Sequence, residues 1–252
     1  MLEGRPLNDS KNGASAELGK QNDVPMVYIV EDDASVREST EFLLRSVGMH
    51  VTSFTNASDF LLFTRPKVPS CLILDVRMPK TSGLELQQKL IVAGVALPII
   101  FITGYADVQM AVQAMKAGAH DFITKPFRDQ DMLDAVAGAL RNDEECLRSE
   151  EVLASLRTCY LLLNAREREI FAYVVAGLMN KQIAAAMNLS EITVKTHRAL
   201  AMQKMRCRTF AEFVRKGHVL GLGAELGSAI KWERGTTPKV ELSCGAALEV
   251  LR

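Results

Sequence analysis

The chain has 252 residues, 48% of them hydrophobic and 24% charged, which is enough apolar material for two modest domains. No apolar run approaches the roughly 20 residues that span a bilayer, and the mixed-charge N-terminus lacks a signal peptide's apolar centre, so we expect a cytoplasmic protein with no membrane partner and reduced cysteines. Net charge is zero but unevenly spread: residues 26–127 carry 9 Lys and Arg against 10 Asp and Glu, whereas residues 164–217 carry 10 against 4, a surplus of +6 that hints at a polyanion partner.

Residues 1–25 are rich in Gly, Asn, Ser and charge and are expected to be a disordered extension. Strand-like and helix-like pieces then alternate. The apolar run 27–30 is followed by a helix over 35–47 that stops at Gly48. A strand over 51–54 precedes a helix over 57–63. A buried strand over 71–74 precedes a helix over 84–92, closed by Gly94. Pro98 opens a third buried strand, 99–102, followed by a helix over 110–117 ending at Gly118 and a strand over 121–124. Five strand–helix units in about 110 residues predict an α/β fold: a doubly wound five-stranded parallel sheet with helices on both faces.

Ligands of such sheets sit at the carboxyl ends of the strands. Here those ends carry Glu31-Asp32-Asp33, then Asp75, then Thr103-Gly104, and finally Lys125-Pro126. Clustered carboxylates repel one another and favour a cation or a proton. Hard oxygen donors without Cys or His suit Mg²⁺. A cation beside Lys125 and Thr103 would neutralise the oxygens of a transferring phosphoryl group, for which a carboxylate can act as nucleophile.

Val27-Tyr28-Ile29-Val30-Glu31-Asp32-Asp33, Leu74-Asp75-Val76-Arg77-Met78-Pro79, Ile102-Thr103-Gly104 and Phe122-Ile123-Thr124-Lys125-Pro126-Phe127 resemble the signature set of response-regulator receiver domains, over residues 26–128. The resemblance implies that Asp75 is the phosphoacceptor. It implies that Glu31, Asp32, Asp75 and the main-chain carbonyl of Arg77 hold Mg²⁺. Thr103 and Lys125 would bind phosphoryl oxygens, and Lys125-Pro126 would be a cis peptide. Glu31 departs from the more usual Asp but keeps the charge. Phe122 is either a core aromatic or, by the same resemblance, a switch residue that swings inward with Thr103. Arg77 and Tyr105 are expected to border the path of a hydrolytic water and so to prolong the phosphorylated state.

Residues 129–163 read as a helical linker with two apolar seams, Leu133, Val136, Leu140 and then Leu153, Leu156, Tyr160, Leu163, separated by the polar run 141–145. The first seam is expected to pack on its own domain and the second to pair with a partner chain. Residues 164–217 contain helices only, over 165–175, 181–187, 191–205 and 210–216, closed by Gly177 after the first and Gly217 after the last. Two short helices joined by Asn188-Leu189-Ser190 fit a helix-turn-helix, with Ser190 as N-cap of the recognition helix. Val194, Ala201 and Met205 face inward. Lys195, Thr196 and Ala199 are expected at base edges, and Lys181, Arg198 and Lys204 on phosphates. His197 either packs or contacts a phosphate.

The segments Asn164-Ala165-Arg166-Glu167-Arg168-Glu169-Ile170, Gly177-Leu178-Met179-Asn180-Lys181-Gln182-Ile183-Ala184 and Thr193-Val194-Lys195-Thr196-His197-Arg198 resemble the LuxR-type effector domain of NarL/FixJ response regulators. Residues 218–252, with several glycines, are expected to form a flexible tail. The chain as a whole therefore reads as a response regulator, not an enzyme, with no second cluster of nucleophile, base or metal ligands after residue 130. It would be phosphorylated by a sensor histidine kinase, would bind double-stranded DNA as a homodimer on activation, and would have RNA polymerase as a further partner. A receiver that acts only through protein contacts is disfavoured by the basic surplus.

Overall fold

Short β-branched and aliphatic runs, each bounded by a turn, fold in the computed structural model as the strands β1 (Met26–Val30), β2 (His50–Phe54), β3 (Ser70–Asp75), β4 (Ile99–Thr103) and β5 (Asp121–Thr124). The structure describes residues 24–104 and 108–222. The expected N-terminal extension up to residue 23, the tail beyond residue 222 and Tyr105 lie outside the described residues. All strand pairings are parallel, in the order β2-β1-β3-β4-β5. The described residues divide between Arg148 and Ser149 into two compact units.

In the first unit the strands alternate with α1 (Ala34–Ser46), α2 (Ala57–Leu62), α3 (Gly83–Val92) and α4 (Val108–Lys116), and α5 (Asp129–Leu161) follows β5. The two-residue period of a strand sends alternate side chains to opposite faces. Val27, Ile29, Cys71, Ile73, Ile100 and Ile102 meet Leu44 of α1 and Met132, Val136 and Ala139 of α5. Tyr28, Val30, Leu72, Leu74 and Phe101 meet Phe60 of α2, Leu86 and Leu90 of α3 and Ala114 of α4. Burial on both faces explains why these strands read as continuous apolar runs. Gly48, Gly94 and Gly118 have positive φ, as their places after α1, α3 and α4 require.

Residues 129–148 of the expected linker fall in the first unit and residues 149–163 in the second. The polar run 141–145 does not interrupt α5, which continues to Leu161. Asp143 is buried, and its Oδ2 accepts the Ser70 N–H at 2.7 Å where β3 begins. The second seam, expected to pair with a partner chain, packs within its own unit: Leu156, Tyr160 and Leu163 lie in its core with Ile170, Phe171 and Phe213, and Leu153 packs partly buried against it.

The second unit continues with α6 (Ala165–Val175), α7 (Asn180–Met187), α8 (Glu191–Lys204) and α9 (Phe210–Val219). A capping box opens α6: Asn164 Oδ1 accepts the Glu167 N–H at 2.8 Å, and Glu167 Oε2 accepts the Asn164 N–H at 2.9 Å. Gly217 does not end α9, contrary to the sequence expectation. It is buried within the helix, and a Cβ there would collide with the Val175 side chain of α6. The glycine permits the close approach of two helices.

Candidate functional site

Two places in the chain combine chemistry with the geometry to use it. In the first unit, β1 and β3 are adjacent while their helices leave toward opposite faces, so a crevice opens beyond their carboxyl ends. Glu31 follows β1 and Asp75 ends β3. Carboxylate oxygens of Glu31, Asp32 and Asp75 all lie within 4.8 Å of one another. Glu31 and Asp75 are buried and Asp32 is exposed, so the cluster opens to solvent on one side.

Local bonding sorts the neighbouring acids. Asp33 Oδ1 accepts the N–H groups of Ser35 and Val36 at 2.8 and 3.2 Å and so caps α1. That leaves Glu31 and Asp32 as the acids of this run that join Asp75. The Arg37 guanidinium donates to the Glu31 carbonyl at 3.0 Å and braces the loop. The Arg77 N–H donates to Asp75 Oδ1 at 3.0 Å, and the Gly83 N–H to the Val76 carbonyl at 3.0 Å. A Cβ on Gly83 would overlap the Asp75 main-chain carbonyl, so this glycine permits the close approach of α3 to the end of β3. Sequence reading missed Gly83; its signal was a glycine at the first position of a helix that has Ser82 as N-cap.

Lys125 reaches back from the end of β5 and places Nζ 2.6 Å from Glu31 Oε2 and 3.0 Å from Asp75 Oδ2. The Lys125 N–H donates to the Thr103 carbonyl at 2.7 Å, which ties the two strand ends together. Thr103 is buried beside them. Lys125-Pro126 is a cis peptide. Burial pushes the Glu31 carboxyl up to about 7; the Lys125 ammonium opposes this, and the charge of Asp75 adds to it. Burial disfavours the Lys125 ammonium, but its two carboxylate partners outweigh that cost and raise its pKa. A pocket of three carboxylates and one ammonium, with one carboxylate held back from ionising, fits a divalent cation with oxygen ligands. Phe122 is half-buried and packs against the core, 6.4 Å from Phe101 between ring centroids. Arg77 is exposed.

The second place is the pair α7–α8. Asn188 ends α7 in the left-handed region at φ 52°, and the Leu189 N–H returns to the Ala184 carbonyl at 2.9 Å. Ser190 Oγ then accepts the Thr193 N–H at 3.1 Å and starts α8. Val194, Ala201 and Met205 are buried as the periodicity requires. Lys181, Lys195, Thr196 and Ala199 are exposed. Arg198 is half-buried; its Nη1 donates to Asn180 Oδ1 of α7 at 3.0 Å, and its guanidinium lies 5.5 Å over the Phe210 ring. His197 is half-buried with Nδ1 shielded from solvent, as a packing role requires.

Lys204, expected on a phosphate, is paired within its own unit. Its ammonium donates to both oxygens of Glu167, at 2.9 and 2.7 Å, across 37 residues of sequence. Glu167 is almost wholly buried and requires a cation there. Burial acts to raise its pKa, but the Lys204 ammonium and the Asn164 N–H outweigh it and hold the carboxyl below its usual range.

An acidic crevice on a parallel α/β sheet, followed by a helix-turn-helix, defines a phosphorylatable switch joined to a DNA-binding output. Residues 27–137 match the response regulator receiver domain family, and residues 161–216 match the bacterial regulatory proteins of the luxR family. The chain is 47% identical over 199 residues to nodulation protein W of Bradyrhizobium diazoefficiens, covering 79% of this chain and 88% of that protein. It is 40% identical over 196 residues to the transcriptional regulatory protein FixJ of Azorhizobium caulinodans, covering 78% and 93% respectively. The solved structure of the response regulator StyR superposes with a TM-score of 0.69 at 43% identity, over 77% of this chain and 98% of that one. The chain therefore belongs to the response regulators that join a receiver domain to a LuxR-type DNA-binding domain: two-component proteins that a sensor histidine kinase phosphorylates on aspartate and that regulate transcription by binding DNA.

Proposed function

We propose that Asp75 is the phosphoacceptor of this response regulator and that α8 reads the operator. The observation that carries the first part is the position of Lys125 Nζ, 3.0 Å from Asp75 Oδ2 at the open end of the crevice. A carboxylate oxygen of Asp75 attacks the phosphorus of a phosphohistidine on the kinase, the P–N bond breaks, and the histidine nitrogen keeps the electron pair. Lys125 and the Thr103 hydroxyl receive charge on the phosphoryl oxygens. Mg²⁺, held by Glu31, Asp32, Asp75 and the main-chain carbonyl of Arg77, would supply the remaining positive charge. Phe122, against the core next to β4, would follow Thr103.

In the second unit Lys195, Thr196 and Ala199 meet base edges, while Lys181, Arg198 and Lys204 contact phosphates, Lys204 from its place on Glu167. Arg198 has donors to spare beyond the one given to Asn180. Activation yields a homodimer on two half-sites, which RNA polymerase then meets; the output is DNA binding and not catalysis. No helix of the described residues is long and apolar enough to cross a membrane, and the reading places the protein in the cytoplasm.

Incubation with Mg²⁺ and acetyl phosphate followed by intact-mass measurement tests the assignment. Wild type gains one phosphoryl group and Asp75→Asn gains none; equal yields would overturn it.

A further inference from the structure

The face of α8 that remains exposed carries more apolar surface than a solvated helix needs. A shallow groove along it is lined by Ile192, Lys195, Thr196, Ala199, Leu200 and Gln203, positions spaced by three and four and so on one stripe. Ile192 is 76% exposed and Leu200 41%. The Thr196 hydroxyl donates back to the Ile192 carbonyl at 3.0 Å, which occupies its proton. Four of the six side chains thus offer carbon, Lys195 offers the stripe's ammonium, and Gln203 lies one residue from the helix end. Packing does not explain Ile192, which is exposed. Helix propensity does not either, since a β-branched residue is a poorer choice there than Ala, Lys or Glu.

The stripe has no carboxylate, and Lys181 and Arg198 are cations nearby in the helix-turn-helix, so a polyanion suits it better than a protein surface. Of the groups that line the major groove, the C5-methyl of thymine is the one that such carbon atoms recognise. Ile192 is the second residue of α8, in the turn that enters the groove first. We infer that the recognition face is built chiefly to read thymine methyl groups, with Ile192 as a specificity-determining contact beside the single ammonium of Lys195. This rests on the DNA-binding reading given above and extends it to the sequence class preferred.

The test uses the full-length chain with Mg²⁺ and acetyl phosphate to enrich duplexes from a randomised library. Each thymine of the enriched duplex is then replaced singly by uracil, which removes only the methyl group. Wild type should lose about fourfold in affinity at one or more positions, the worth of one buried methyl. Ile192→Ala should bind the thymine duplex more weakly and be indifferent to uracil at one of those positions, and Ile192→Val should keep the response. If no single uracil changes affinity, or if Ile192→Ala responds like wild type at every position, the inference fails while DNA binding stands. If nothing is enriched above random DNA, the DNA-binding reading fails and this inference fails with it.

Discussion

Replacing Lys204 by Met separates a structural cation from a phosphate contact. Its ammonium lies 2.7 Å from a Glu167 oxygen, with side-chain exposures of 36% for the lysine and 1% for the glutamate. Removing one partner of a fully buried pair costs about 3–5 kcal/mol, because a charge is left buried alone. A lysine that is a third exposed lets water reach the pair, so the fuller figure must be discounted. The Asn164 N–H also remains on Glu167, and together these bring the expected loss to roughly 1–3 kcal/mol. The sign with pH is fixed. Glu167 has a folded pKa below its ordinary 4.5, so its contribution is complete above that value and is lost as pH falls through the depressed folded pKa. The deficit of Lys204→Met should therefore be largest near neutrality and shrink toward acid, where Glu167 takes a proton in the variant. Calorimetry of the full chain at pH 7 and pH 4, with Glu167→Gln and the double variant, measures both effects; the double variant should be more stable than Lys204→Met alone. Stability within about 0.5 kcal/mol of wild type, coupled with uniformly weaker binding to all DNA sequences, would refute the reasoning and return Lys204 to the phosphate backbone.

Two further outcomes follow from the described geometry. Glu31→Gln should stabilise the metal-free protein by about 1–2 kcal/mol at pH 8 and by less at pH 5, because Glu31 rises from 4.5 to about 7 and its burial cost grows as pH climbs through that range; thermal melts with and without Mg²⁺ should also show that the variant loses most of the metal-induced gain. Gly217→Ala should lower stability by roughly 1–3 kcal/mol in denaturant titration, since the collision with Val175 outweighs the alanine's helix preference; an unchanged or raised midpoint would show that α6 and α9 can separate at no cost.

The sheet and its acidic crevice were legible in the sequence because both obey short-range rules. A strand buried on both faces must be apolar throughout, and the residue after such a strand is at the sheet's edge whatever the rest of the chain does. The stops at Gly48, Gly94, Gly118 and Gly177 were legible for the same reason, and all four have positive φ. What sequence could not show were pairings across long separations. Asp143 lies in a polar run, and nothing local shows that its carboxylate accepts the Ser70 N–H, 73 residues away. Lys204 looked like one more exposed cation because Glu167 lies 37 residues before it. The capping pattern of Asn164 and Glu167 was available, but it gave no sign that Glu167 would be buried. The seam at Leu156, Tyr160 and Leu163 has the spacing of a helix pair, and spacing alone does not say whether the partner helix belongs to another chain or, as here, to the same unit.

We propose that phosphorylation of Asp75 and tighter binding to the operator are one coupled event. Fluorescence anisotropy of a labelled operator duplex, titrated with full-length wild type and with Asp75→Asn, each with Mg²⁺ and with or without acetyl phosphate, measures that coupling. Acetyl phosphate should lower Kd for wild type and leave Asp75→Asn unchanged. An equal gain in affinity for both proteins, or no gain for a wild type shown by mass to be phosphorylated, would contradict it.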